Sequence, residues 1–257
     1  MHSGASPRGI RLSIVVPVWN EAAGIRSFLK HLRERAPRAE LIVVDGRSTD
    51  GTARLCDDLA DCVFQTGRGR AEQMNGGAAA SSGDVLWFLH ADSRLPRDAV
   101  KQMQHALADS RLAGGCFRLR FPRRRLIYRV SDSLGNLGVD LFRIALGDHG
   151  FFCRREAFER AGGYPEVALM EDAEFYRALR RIGRTRQLRG EIETSPRRYE
   201  ELGPYRTTAM YAFILALYFA RIPFHQLARI HSRFLAGRRS TGAAPSYPPF
   251  HEQSVPA

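Results

Sequence analysis

Gly83-Asp84-Val85-Leu86-Trp87-Phe88-Leu89 runs straight into His90-Ala91-Asp92-Ser93, a polar stop after an apolar run. Apolar residues without alternation predict a strand buried on both faces, as in a parallel sheet. In open α/β sheets ligands bind just beyond the carboxyl ends of the strands, and Asp92 falls there. A carboxylate at that place suits a metal or phosphate site; capping the next turn is its other use. Three more loops leave strand ends of the same kind: Pro17–Glu21, Asp45–Gly51 and Gly67–Arg70. With His90–Ser93 they gather carboxylates, amides, arginines and glycines on one side of a sheet. That set suits a nucleoside diphosphate with a divalent ion, because Mg²⁺ prefers oxygen ligands and completes its shell with water and substrate phosphate. Asp45 can accept a hydrogen bond from a base N–H, and Arg70 can reach a phosphate in charge-assisted fashion. Two common nucleotide motifs are missing. Gly67-Arg68-Gly69-Arg70-Ala71-Glu72 lacks the third glycine of G-x-G-x-x-G and does not follow the first strand, and no G-x-x-x-x-G-K-[ST] occurs.

The elements that must carry these loops alternate. Strands are expected at Leu12–Val18, Leu41–Val44, Cys62–Gln65 and Val85–Leu89, and helices at about Glu21–Arg35 and Thr52–Leu59. An alanine-rich helix follows the glycine loop, its small residues suited to close packing on the sheet. This order predicts a parallel sheet with right-handed crossovers. Beyond Pro96 a helix is expected near Asp98–Leu107 and a strand near Cys116–Phe121. A mixed helical segment spans about 126–146, and a break falls at Gly147–Gly150. Helices are expected at Arg155–Ala161 and Glu171–Ile182, a short strand at Ile192–Thr194, and helices from Tyr205 to Leu235 broken at Pro223. The expected class is α/β: a mostly parallel sheet flanked by helices, with a helical C-terminal segment. One domain should span residues 10–236, with a nucleotide-binding half (10–95), an acceptor half (96–200) and C-terminal helices (203–236); residues 1–9 and 238–257 are expected to be disordered.

The formal charge is +12, carried almost wholly by arginine, since Lys30 and Lys101 are the only lysines. Such a balance suits anionic partners: nucleotides, phosphates, acidic lipid or nucleic acid. A cluster at Arg118, Arg120, Arg123, Arg124, Arg125 and Arg129 fits the same set, and a solvated arginine-rich surface is the plainer account. The four cysteines show no C-x-x-C spacing, which indicates neither a zinc framework nor a disulfide scaffold. Reduced thiols are expected. Met1–Gly9 carries no apolar signal core, and no stretch reaches the ~18 apolar residues of a bilayer span. The expected location is the cytoplasm. Ala209–Ala220, apolar nearly all round, is either a packed terminal helix or one lying on an anionic membrane at its inner face.

Pro17-Val18-Trp19-Asn20-Glu21, Val44-Asp45-Gly46-Arg47-Ser48-Thr49-Asp50-Gly51-Thr52 and the Gly-Asp-x-Leu-x-Phe-Leu-His-Ala-Asp stretch together resemble family 2 glycosyltransferases. The resemblance is closest to a compact bacterial branch with a His-Ala-Asp metal motif, and it covers about residues 12–200. It implies a GT-A fold, Rossmann-like, and an inverting transfer of one sugar from a nucleotide-diphosphate sugar to an acceptor hydroxyl. The implied donor-side residues are Pro17, Asn20, Glu21, Asp45, Arg47, Arg70, Gln73 and Ala91. Asp92 takes the metal role, for Mg²⁺ or Mn²⁺. His90 stands where the family usually has the first aspartate of D-x-D; it ligates, bonds a phosphate, or fills space. Met170-Glu171-Asp172-Ala173-Glu174 resembles the family's Glu-Asp motif, with Asp172 as general base beside Glu171. Asp148 and His149 sit at the family's acceptor-side loop. Arg197-Arg198-Tyr199 is similar to part of the Q-x-x-R-W motif of processive synthases, without its glutamine and tryptophan, so Arg198 is kept on the acceptor side for a single transfer.

Two other classes remain open at this point. A sugar-phosphate nucleotidyltransferase would carry a glycine- and lysine-rich signature near the first strand, where Pro17–Glu21 stands instead. A basic module for nucleic acid or membrane would interleave exposed aromatics with its arginines, yet Phe117, Phe121 and Tyr128 have spacing that also fits a buried face. Nucleic acid is not expected as a partner. The acceptor, a lipid or a small molecule, is left open.

Overall fold

The computed structural model describes residues 10–122 and 125–236. Both expected disordered ends, and Arg123 and Arg124 of the basic cluster, lie outside those residues.

The N-terminal half alternates as expected: β1 (Leu12–Val18), α1 (Ile25–Arg35), β2 (Glu40–Asp45), β3 (Cys62–Gln65), α2 (Arg70–Ala80) and β4 (Val85–Phe88). Then come α3 (Ala99–Leu107), β5 (Leu112–Arg120), α4 (Leu126–Leu137), β6 (Phe152–Arg154), α5 (Arg155–Ala161), α6 (Glu171–Ile182) and β7 (Arg184–Glu193). Three helices end the described chain: α7 (Arg197–Leu202), α8 (Pro204–Phe219) and α9 (Phe224–Ala236). A π turn at Gly138–Phe142 and a 3-10 turn at Gly147–His149 link α4 to β6.

The sheet has the order β3-β2-β1-β4-β6-β5-β7. The first four strands are parallel neighbours, and β5 is parallel to β7. Only β6 runs against its neighbours β4 and β5. Side chains alternate between two cores. Ile14, Val16, Val85 and Trp87 face α1 and α3, while Val15, Leu86 and Phe88 face α2, α5 and α6. Both faces are therefore covered, which is why β1 and β4 read as unbroken apolar runs. α1 buries Ile25, Phe28, Leu29 and Leu32 on one stripe, each worth about 1.5–3 kcal/mol relative to exposure. α2 lies close on the sheet because its face is nearly bare. A methyl group at Gly77 would stand 2.3 Å from a methyl of Val15.

Three expectations need correction. The helix expected over Thr52–Leu59 is a single 3-10 turn, Ala53–Leu55, followed by turns. Carbonyls that a helix would use go elsewhere: Arg26 donates to Leu55 O at 3.2 Å and Arg33 to Leu59 O at 2.9 Å. α1 starts at Ile25, not Glu21, because the amides of Glu21 and Ala22 bind Thr52 and Asp50 in the neighbouring loop. The short strand near Ile192 is the end of a ten-residue edge strand, β7. α8 buries Thr207, Met210, Ile214 and Tyr218 against α9 and the loop before α6. No helix among the described residues is long and apolar enough to cross a membrane.

Candidate active site

The ends of β1, β2 and β4 meet a floor of fixed polar contacts. Asn20 turns the chain in the left-handed region (φ 53°), its amide donating to Ser48 Oγ at 2.8 Å and its Oδ1 accepting from Thr49 N–H at 2.9 Å. Asp45 is fully buried; its oxygens accept from Ser48 N–H, Ser48 Oγ and Gln65 Nε2. Gln73, on α2, donates to the carbonyls of Val18 (2.8 Å) and Val44 (2.7 Å), tying two strand ends together. Trp19 projects beside them with the Arg68 guanidinium 3.5 Å above its ring, a cation–π stack.

These strand ends border a polar cavity of about 450 Å³. Of the expected donor-side residues, Pro17, Asn20, Glu21, Arg70, Gln73 and Ala91 line it, together with His90, Asp92, Asp148 and Arg198. Asp45 and Arg47 do not. Asp45 is used up within its own loop, and Arg47 is exposed at φ 64°. A base contact by Asp45 therefore requires it to give up a donor it already holds.

Asp92 lines the same cavity, four residues past the end of β4. Burial pushes its carboxyl up from the ordinary range, and the nearby charges of Asp148 and Glu21 push it further. His90 is engaged through one ring nitrogen. Its Nδ1 lies 2.9 Å from Asp148 Oδ1. Burial opposes its charge, but the bond to Asp148 together with the charges of Asp148 and Asp172 raises its pKa; burial likewise opposes charge on Asp148, yet His90, Arg198 and Arg70 hold that carboxyl far below its usual value. Among the described residues no group of three or more His, Cys, Asp or Glu side chains is arranged to hold a metal alone. A half-buried carboxylate such as Asp92 still fits a hard divalent ion whose other ligands are water and diphosphate oxygens.

The second carboxylate centre is the start of α6. Met170 precedes it in the left-handed region (φ 71°), which aims Glu171 and Asp172 into the molecule. Both are buried in the first helical turn, where the helix dipole favours negative charge. Glu171 pairs with Arg70 at 3.6 Å. Asp172 Oδ2 accepts from Gly147 N–H at 2.9 Å, whereas its Oδ1 is buried with no hydrogen-bond partner. Burial, then the charge of Glu171, raises its pKa well above the carboxylate norm. Gly147 stands between His90 and Asp172: a Cβ there would lie 2.6 Å from His90 Cε1 and from Asp172 Oδ2.

Asp172 and Glu171 line a second cavity, an apolar groove of about 980 Å³ between α4, the loop before α6, and α8. Arg70, Asp148, Arg198, Tyr199 and Tyr211 border both cavities. Arg198 donates to Tyr211 OH at 2.6 Å, and that partner with its charge, against burial, raises its pKa. His149 is nearly fully buried on the groove wall. Its Nδ1 lies 3.1 Å from Leu146 O, its Nε2 has no partner, and burial lowers its pKa. Trp19 and Arg197 stand in stretches the sequence singles out but were given no place among the site residues, and Tyr211 carried no signal. Arg197 reaches Glu21 at 3.3 Å, 176 residues away.

The sequence model of the family described as Glycosyl transferase family 2 matches residues 13–162. The chain is similar to the probable glycosyltransferase YdaM of Bacillus subtilis, 28% identical over 64% of this chain and 45% of that protein. It is also similar to the undecaprenyl-phosphate 4-deoxy-4-formamido-L-arabinose transferase of Pseudomonas fluorescens, 27% identical over 58% and 47%. The chain spans about half the length of these curated relatives. Among solved structures, its fold matches the mannosyltransferase of Pyrobaculum calidifontis in complex with GDP-Man and Mn²⁺ (TM-score 0.59, 22% identity, 93% of this chain and 78% of that one). It also matches glucosyl-3-phosphoglycerate synthase of Mycobacterium tuberculosis in complex with Mn²⁺, UDP and glucosyl-3-phosphoglycerate (TM-score 0.55, 22% identity, 79% and 78%).

Proposed function

The chain belongs to glycosyl transferase family 2 and has a GT-A fold, and we propose that it moves a single sugar from a nucleoside diphosphate sugar to an acceptor hydroxyl, with inversion at the anomeric carbon. The observation that carries this reading is Asp172: one oxygen fixed by Gly147 N–H, the other buried with nothing to bond, beside the residues both cavities share. A carboxylate raised in pKa and held ready is suited to take a proton near neutral pH. The acceptor O–H gives its proton to Asp172 as its oxygen attacks the anomeric carbon. The carbon–oxygen bond to the diphosphate breaks, and its electron pair leaves on the nucleoside diphosphate.

Arg70 and Arg198 supply positive charge toward that leaving group, and Arg197, paired with Glu21, closes the cavity from the opposite side. Asp92 would hold the divalent ion, Mg²⁺ or Mn²⁺, which when bound neutralises diphosphate charge as a Lewis acid. His90, committed to Asp148, positions the acceptor-side loop. Trp19 under Arg68 offers a flat face at the donor end. The complexes of the structural neighbours with GDP-Man or UDP and Mn²⁺ support a nucleoside diphosphate donor.

Thermal unfolding with UDP- and GDP-sugars, with and without Mn²⁺, tests this. Ligand at a hundredfold its Kd stabilises the folded state by about 2.7 kcal/mol. We expect a metal-dependent rise in midpoint with at least one donor. Asp92→Asn should keep its unliganded midpoint and lose that rise. An undiminished rise in Asp92→Asn overturns the metal role; no rise with any nucleoside diphosphate sugar overturns the donor class.

A further inference from the structure

The apolar groove ends at the carboxylate assigned here as base, and the following inference rests on that glycosyl-transfer reading. We propose that the acceptor is an amphiphile: a hydroxyl-bearing head at Asp172 and a long hydrocarbon tail lying in the groove.

The groove is about twice the volume of the polar cavity, 980 against 450 Å³. Its walls are Leu134 and Leu137 of α4, Phe142 of the π turn, Leu169 ahead of α6, and Leu215 and Phe219 of α8. Four of these face water: Leu134 is 51% exposed, Leu137 47%, Phe142 58% and Phe219 47%. The rings of Phe142 and Phe219 meet at 5.3 Å across the mouth. Large apolar side chains gathered on one concavity mark a surface that is covered in use. Two chemistries share this one cavity: the charged Asp172, Glu171, Arg70 and Arg198, and the aliphatic and aromatic side chains named above. An amphiphile with one hydroxyl end matches that pairing. A free sugar or a nucleic acid would lay hydroxyls and phosphates against the apolar part of the lining, which cannot hydrogen-bond them. A second copy of the chain would cover the rim but would have to bring a lone hydroxyl to the buried end.

Binding of dansyl-labelled primary alkanols of four, eight and twelve carbons, below their aggregation concentrations, tests the assignment without turnover. Affinity should climb by about fourfold per methylene buried until the groove is filled. Leu137→Gln combined with Phe219→Gln, both at exposed positions that the fold tolerates, should weaken the twelve-carbon probe at least tenfold. Leu141→Gln, an exposed leucine outside the groove, should leave it unchanged. Affinity independent of chain length, or equal loss in Leu141→Gln, overturns the proposal. Binding that arises only with phosphatidylcholine vesicles overturns it in favour of a membrane surface. A dimer in light scattering that the double variant dissociates, with no chain-length dependence, overturns it in favour of a second copy. If nucleoside diphosphate sugars raise the midpoint while chain length has no effect, only the acceptor assignment fails. If no such donor raises it, the glycosyl-transfer reading fails first.

Discussion

The two sides of the site are built on opposite plans. On the donor side polar side chains are spent on one another: Asn20, Asp45 and Gln73 all hold fixed hydrogen-bond partners, and the strand ends are sewn together. On the acceptor side Asp172 Oδ1 and His149 Nε2 are buried with none. A buried polar group without a partner costs roughly 1–3 kcal/mol. On the proposed reading, the contrast is between a donor wall whose shape is fixed by its own hydrogen bonds and a carboxylate whose free oxygen can take a proton.

The sharpest break of this contrast is Asp172→Asn. It removes the base and leaves the donor wall untouched, so turnover should fall by about 10²–10⁴-fold while nucleoside diphosphate affinity, read by titration, stays within error. Equal losses in both would mean the two sides are not separate. Next, Gly147→Ala should push Asp172 and His90 apart. A displacement on the order of 1 Å costs up to about 100-fold in rate. The intruded atoms end side chains that can shift, so the melting temperature should change little. Third, Gln73→Leu removes one of two donors from the Val18 carbonyl, which keeps Gly46 N–H, and one donor from the Val44 carbonyl, and we expect about 1–2 kcal/mol of lost stability in urea unfolding, with weaker donor binding. The smallest effect lies outside both sides. His31 Nε2 accepts from Leu95 N–H at 2.9 Å, and burial, with Arg35 and Arg94, lowers its pKa from 6.5 to about 4. Between those values the unfolded chain binds the extra proton, so stability falls as pH drops through that window. His31→Gln should flatten that part of the urea-midpoint profile.

Legibility in the sequence follows the same divide. Cys62–Gln65, Arg155–Ala161 and Glu171–Ile182 are readable at their observed ends, the two helices each closed by a glycine. β7 is not. It reads Arg-Thr-Arg-Gln-Leu-Arg-Gly-Glu-Ile-Glu, with charges on the open face of an edge strand, which is how edges are kept from pairing with other chains. The strand-end loops are legible because each is local. The bond between His90 and Asp148, the grip of Gly147 on Asp172 and the pairing of Arg197 with Glu21 join residues 58, 25 and 176 positions apart, and no local pattern encodes them. The groove is least legible, since its walls come from two helices, a π turn and the loop before α6, which only packing brings together.

The sheet is seamed by one short strand. β6 holds three residues against β4 and two against β5, and there Gly114 and Gly115 leave no room for a side chain, with a Cβ at 2.3 Å from Phe152 O and 2.0 Å from Arg186 O respectively. β6 begins two residues after the loop that holds Asp148 and grips Asp172. A two-residue link joins the seam to the loop that grips Asp172, and we expect the two to open together. Amide hydrogens along Phe152–Arg154 should exchange at the rate at which the site loses its shape, so the lifetime of the seam sets the lifetime of the active enzyme.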